Sequence, residues 1–108
     1  VYTEAWKEAW LRIDPALLAA HGAVSREVTL ELARQLRKAT KAHLTGAVTC
    51  YAGPADPEDR EPVGTTFVAW SSEEGEGVEK RTYAGSRSSI RERAAWALLA
   101  LLWEQLHP

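Results

Sequence analysis

The stretch VGTTFVAWSSEEGEGVEKRTYA, residues 63–84, reads as two β-strands and the reversal between them. Residues 63–71 and 78–84 are rich in Val, Thr, Phe, Trp and Tyr, side chains that suit a pleated, half-buried surface. Between them Glu73-Glu74-Gly75-Glu76-Gly77 supplies the polar and flexible residues of a hairpin connection, which predicts antiparallel pairing. Working outward, residues 47–51 are short, β-prone and bounded by Gly46 and by Gly53-Pro54, so a further strand is expected there. The acidic, turn-forming residues 53–62 join it to the hairpin as an exposed loop. The result is a three-stranded antiparallel meander.

Helical patterns lie on both sides of the meander. Ser25 is placed to cap a helix whose apolar stripe is Val28, Leu32, Leu36 and Ala39, with Arg34, Arg37, Lys38 and Lys41 mostly opposite, and Thr45-Gly46 as its stop. Before it, Trp6, Trp10 and Ile13 recur at helical spacing over residues 3–13, Asp14-Pro15 breaks the pattern, and residues 16–20 form a brief apolar turn closed by His21-Gly22. After the meander, Gly85-Ser86-Arg87 leads to Ser88 or Ser89 as the expected cap of a helix running to about Leu106. From 94 to 103 every residue of that helix is apolar. Such a segment has no polar face to give to water and needs cover on more than one side. The sheet supplies one cover. Trp6 and Trp10 on the N-terminal segment are the expected second, with a further copy of the chain as the alternative, so Trp6, Trp10, Leu98, Leu101 and Leu102 form the candidate interaction surface. The expected architecture is α+β in a single domain over residues 1–108, an N-terminal helical extension over 1–24 preceding a core over 25–108.

A chain of 108 residues with 45% hydrophobic content is sized for one modest core. The longest apolar run is about half the roughly 18 residues a membrane-spanning helix needs, so no membrane association is expected. The start lacks the stages of a secretory signal, and the lone Cys50 fits a reducing compartment, so a cytoplasmic setting is expected. The net charge of −2 hides a grouping: residues 25–44 carry five basic and two acidic groups, 45–79 one and eight, 80–93 five and one. Two basic blocks thus flank an acidic one.

The residue types that perform chemistry are scattered. His21, His43 and His107 lack the spacing of a zinc site. Cys50, within a strand, reads as a small packed hydrophobe, and Asp56, Glu58, Asp59 and Glu61 lack the fixed positions of a calcium loop. No cofactor, no metal and no catalytic constellation is expected, and the sequence reads as a binding module that is not an enzyme. Its most suggestive feature is the helix start at Gly85-Ser86-Arg87-Ser88, where free amides and Lys80, Arg81, Arg87, Arg91 and Arg93 together either suit a phosphate or serve solubility alone.

This order of elements resembles the double-stranded-RNA-binding domain. The resemblance rests on Gly53-Pro54 in the first strand connection, on Phe67 within Thr65-Thr66-Phe67-Val68, and on Gly85-Ser86-Arg87-Ser88-Ser89 leading into Arg91, Arg93 and an Ala-rich helix. It implies an α-β-β-β-α core that binds double-stranded RNA by shape and charge, with Arg34, Arg37, Lys38 and Lys41 at a minor groove and Arg87, Arg91 and Arg93 on phosphates. The alternative is a protein-interaction or homodimerisation module of the same fold. RNA contact requires Arg34, Arg37 and Lys41 to share a face with Arg87, Arg91 and Arg93.

Overall fold

The computed structural model describes residues 9–107, so Trp6 and most of the expected first helix lie outside the described residues. Three strands, β1 (Leu44–Cys50), β2 (Thr65–Ser72) and β3 (Glu76–Thr82), form an antiparallel sheet in the order β1-β2-β3. Thr49 stands opposite Phe67, and Phe67 opposite Lys80. The Ser72 amide donates to the Gly75 carbonyl at 2.8 Å and closes the hairpin. The chain is α+β, as its patterns predict. β1 begins three residues earlier than expected because Leu44, Thr45 and Gly46 pair with Ser72, Ser71 and Trp70.

Residues 9–11 are helical, and three helices lie wholly among the described residues: α1 (Pro15–His21), α2 (Arg26–Thr40) and α3 (Arg87–Leu106). Successive strand residues point to opposite faces, and that alternation decides what each helix covers. Thr45 Oγ1 donates to the Ala33 carbonyl at 2.7 Å, Thr29 Oγ1 lies 2.7 Å from Thr49 Oγ1, and Arg37 Nε donates to Ser71 Oγ at 3.1 Å. These contacts put α2 on the face of Thr45, Thr49 and Ser71. Gly46 points the other way: a Cβ built there falls 2.7 Å from Leu98 Cδ1 and 2.9 Å from Leu102 Cδ2, so α3 covers the opposite face. The sheet is the middle layer, and the two long helices share no contact.

Ser25 caps α2 as its position suggests, its Oγ accepting from the Val28 amide at 3.2 Å and donating to the Gly22 carbonyl at 2.8 Å. The helix ends at Thr40, short of Thr45-Gly46, with Lys41 in the left-handed region at φ 57° and its amide bonded to the Arg37 carbonyl. At α3 the cap is Ser86, ahead of the expected Ser88 or Ser89, because Ser86 Oγ accepts from the Ser89 amide at 3.2 Å. Ser25→Ala is expected to cost about 1 kcal/mol; urea unfolding with an unchanged midpoint would show that the cap adds nothing.

The expected lid over the closing helix is corrected. Ile13, Val28 and Leu32 form a buried cluster with Trp10, Leu17, Leu18 and Ala47 packed against it, so Trp10, Ile13, Leu17 and Leu18 join α2, across the sheet from α3. Leu101 is buried, Leu98 and Leu102 lean on Gly46, and the outward side of α3 carries Trp96, Leu99, Trp103 and Leu106, each more than half exposed. No helix among the described residues is long and apolar enough to cross a membrane.

Candidate functional site

The two basic sets point apart. Arg34, Arg37, Lys38 and Lys41 belong to α2 and its C-cap, whereas Arg87, Arg91 and Arg93 belong to the first turns of α3 beyond the other face of the sheet. Arg34 is held by Glu76, to which its Nε donates at 2.8 Å, and by Glu31 at 3.4 Å. The Arg34 hydrogen bond holds the Glu76 carboxyl below its ordinary range. Arg37 is engaged by Ser71, and Lys41 serves as the left-handed cap. Lys38 and the side chain of Lys41 are exposed, whereas Arg34 and Arg37, the other half of the expected groove-binding set, are occupied by fold-holding bonds.

The α3 set gathers around one turn. β1 ends at Cys50, and Gly53, at φ 92°, enters a cis peptide with Pro54. Arg87 Nη1 donates to the Gly53 carbonyl at 2.6 Å, which ties the helix start to that turn. Arg93 Nη1 donates to the Ala84 carbonyl at 3.3 Å and steadies the segment leading into the helix. Arg87 and Arg91 both lie close enough to the Cys50 thiol to favour its ionised form, yet burial outweighs them and pushes the thiol above its ordinary range. α3 is 20 residues long with no acidic residue in its first turn, so the positive end of its dipole stands uncompensated beside two arginines. Cys50 is expected to react more slowly with iodoacetamide at pH 8 than an unstructured cysteine, since less of it is thiolate; alkylation at an equal or faster rate would contradict the buried, neutral thiol.

What this arrangement can do is bind an anion of modest size: one fork-shaped guanidinium anchored to a turn, a second one turn along the helix, and first-turn amides between them. Residue patterns alone singled out Arg87 and Arg91 but not Cys50, Gly53 and Pro54 beside them, because nothing local in 50–54 points to a helix more than 30 residues later. Among the described residues no group of three or more His, Cys, Asp or Glu side chains is placed to hold a metal ion.

Layer order and charge together describe a small α+β domain with a basic helix start. The chain belongs to the CinA C-terminal domain family, which it matches over residues 1–106. It is 43% identical over 101 residues to a CinA-like protein of Anaeromyxobacter sp. (strain Fw109-5), covering 94% of this chain and 25% of that protein. It is 33% identical over 105 residues to nicotinamide-nucleotide amidohydrolase PncC of Escherichia coli (strain K12), covering 96% of this chain and 64% of that enzyme. The crystal structure of a competence-damaged protein (CinA) superfamily protein from Escherichia coli superposes with a TM-score of 0.84 at 28% identity, covering 96% of this chain and 60% of that one. The chain therefore spans about a quarter of the CinA-like relative and under two thirds of PncC.

These findings overturn the resemblance to a double-stranded-RNA-binding domain: the family is a different one, and the basic sets that one duplex must span lie on opposite sides of the sheet. Double-stranded RNA is corrected as the partner, and the interaction or homodimer alternative gains no support. The reading as a non-catalytic module is corrected as well, since relatives include an enzyme that acts on a nicotinamide nucleotide.

Proposed function

We propose that this chain carries the nucleotide-binding part of a nicotinamide-nucleotide amidohydrolase, with the α3 start holding the substrate phosphate. The observation that carries the reading is the convergence of Arg87 and Arg91 on an uncompensated helix N-terminus in a chain 33% identical to PncC. A nicotinamide nucleotide presents a phosphate at one end and a carboxamide at the other. Guanidinium groups and helix amides are suited to the first. In the hydrolysis, the oxygen of water adds to the carboxamide carbon, the carbon–nitrogen bond breaks, and ammonia leaves as the carboxylate forms.

In this reading Arg87 and Arg91 contact phosphate, while Arg93, bonded to Ala84, positions the turn from which α3 starts. Arg34 and Arg37 serve the fold, and the domain over residues 1–108 acts as a single unit. A cytoplasmic setting accords with such a substrate and with the free Cys50 thiol.

The test is to incubate the chain with nicotinamide mononucleotide and measure released ammonia beside binding by calorimetry. Saturable binding with ammonia release supports the full reading, and binding without release supports the phosphate site alone. Absence of binding by a folded chain at millimolar nucleotide would end it.

A further inference from the structure

Across the sheet from the α3 start, a cleft of about 360 Å³ opens between the α1–α2 junction, the acidic connection and β3, with Arg26, Arg60, Lys80, His21 and Phe67 in its lining. Its charges do not balance. Two lining carboxylates, Glu27, 3.3 Å from His21 Nδ1, and Glu61, 3.2 Å from Lys80 Nζ, face three cations. Arg60 donates to the Ala20 carbonyl at 2.7 Å and the Ala19 carbonyl at 2.9 Å; those bonds fix its position without neutralising it. Arg26 makes one long hydrogen bond, 3.4 Å to the Val78 carbonyl. The Arg26 guanidinium and the Lys80 ammonium each sit 5.8 Å from the centroid of the Phe67 ring.

An aromatic face attracts a cation, and here one buried ring draws in two. Like charges brought together at a partly desolvated surface repel, and an anion between them relieves that repulsion. A planar guanidinium fork and a point-charge ammonium on one concave surface together match the tetrahedral oxygens of a phosphate. We infer that this cleft is a second anion site, taking the phosphate group of a small phosphorylated metabolite or the free ion. It lies on the α2 face and shares no residue with the α3 start.

The experiment is a proton–nitrogen NMR titration of the full chain with inorganic phosphate, against chloride at matched ionic strength, repeated with glycerol 3-phosphate. The amides of Arg26, Glu27 and Lys80 are expected to shift saturably with phosphate and not with chloride. The double change Arg26→Gln, Lys80→Gln is expected to weaken that response about tenfold or more, while the Arg87 and Ser88 amides respond as before. The single change Lys80→Gln, at an exposed position, reads the same contact should the pair unfold the chain. Tighter binding of the ester assigns the site to a metabolite, and equal binding assigns it to the free ion. The inference is overturned if these amides shift no further with phosphate than with chloride, or if the variants leave the shifts unchanged. Because the two sites are read by different amides, either one can fail without the other.

Discussion

Gly64→Ala is expected to lower the unfolding free energy by about 3 kcal/mol or more, enough to threaten a domain of ordinary stability. Gly64 sits at φ 99°, and a Cβ built there falls 1.8 Å from the Tyr83 carbonyl oxygen and 2.9 Å from the Tyr83 carbonyl carbon. Both obstacles are backbone, which cannot swing aside as a side-chain end can. A non-glycine residue in that region costs about 1–3 kcal/mol before any collision is counted. The backbone is pinned on both sides, since the Gly64 amide donates to the Tyr51 carbonyl at 2.7 Å and the Tyr83 amide donates to the Gly64 carbonyl at 3.0 Å. Moving Gly64 to make room breaks bonds to the ends of both β1 and β3, each worth about 1 kcal/mol. Gly75→Ala is the matched control: its nearest foreign atom is the tip of the Trp70 ring at 3.7 Å and its φ is not positive. Urea unfolding of the two variants decides the matter, and a Gly64→Ala protein as stable as the Gly75→Ala one would disprove the close approach.

The double change Arg87→Ala, Arg91→Ala is expected to weaken binding of nicotinamide mononucleotide by about 100-fold or more, each charged hydrogen bond contributing about 1.5–3 kcal/mol. Where ammonia is released, the loss belongs in KM with kcat little changed, because phosphate is remote from the carboxamide and is held alike in ground and transition states. Arg87→Lys is expected to fall between, an ammonium keeping the charge but losing the fork. Arg34→Ala, on the far side of the sheet and bonded to Glu76, is expected to leave affinity within about twofold, since that arginine is too distant to meet the ligand and exposed charges are screened. Unchanged affinity in the double variant would remove the phosphate from the α3 start while leaving the enzymatic reading to be argued from elsewhere in the domain.

Much of this molecule was legible in local patterns, for reasons that are local. The hairpin of β2 and β3 follows from β-prone runs around an acidic, glycine-bearing turn, and the start of α2 follows from one hydroxyl, Ser25, positioned for the Val28 amide. Arg87, Arg91 and Arg93 were legible as a basic cluster at a helix start, because the helix start and its neighbouring charges sit together in the sequence. The family resemblance went astray because element order is the same whichever face a helix packs on.

Residues 65–69, Thr-Thr-Phe-Val-Ala, are buried without interruption, and such a run lacks the alternation of a strand with one wet face.

The sequence by itself determined the α+β class, the hairpin, the cap of α2 and the grouping of charge, all interactions between residues close along the chain. Only the tertiary structure decided that α2 and α3 lie on opposite faces, that Trp10 packs with α2, and that Cys50 and Gly53 meet Arg87 and Arg91. Those outcomes depend on which strand faces bury which helices, a choice made by long-range packing such as Leu98 and Leu102 closing over the missing side chain of Gly46.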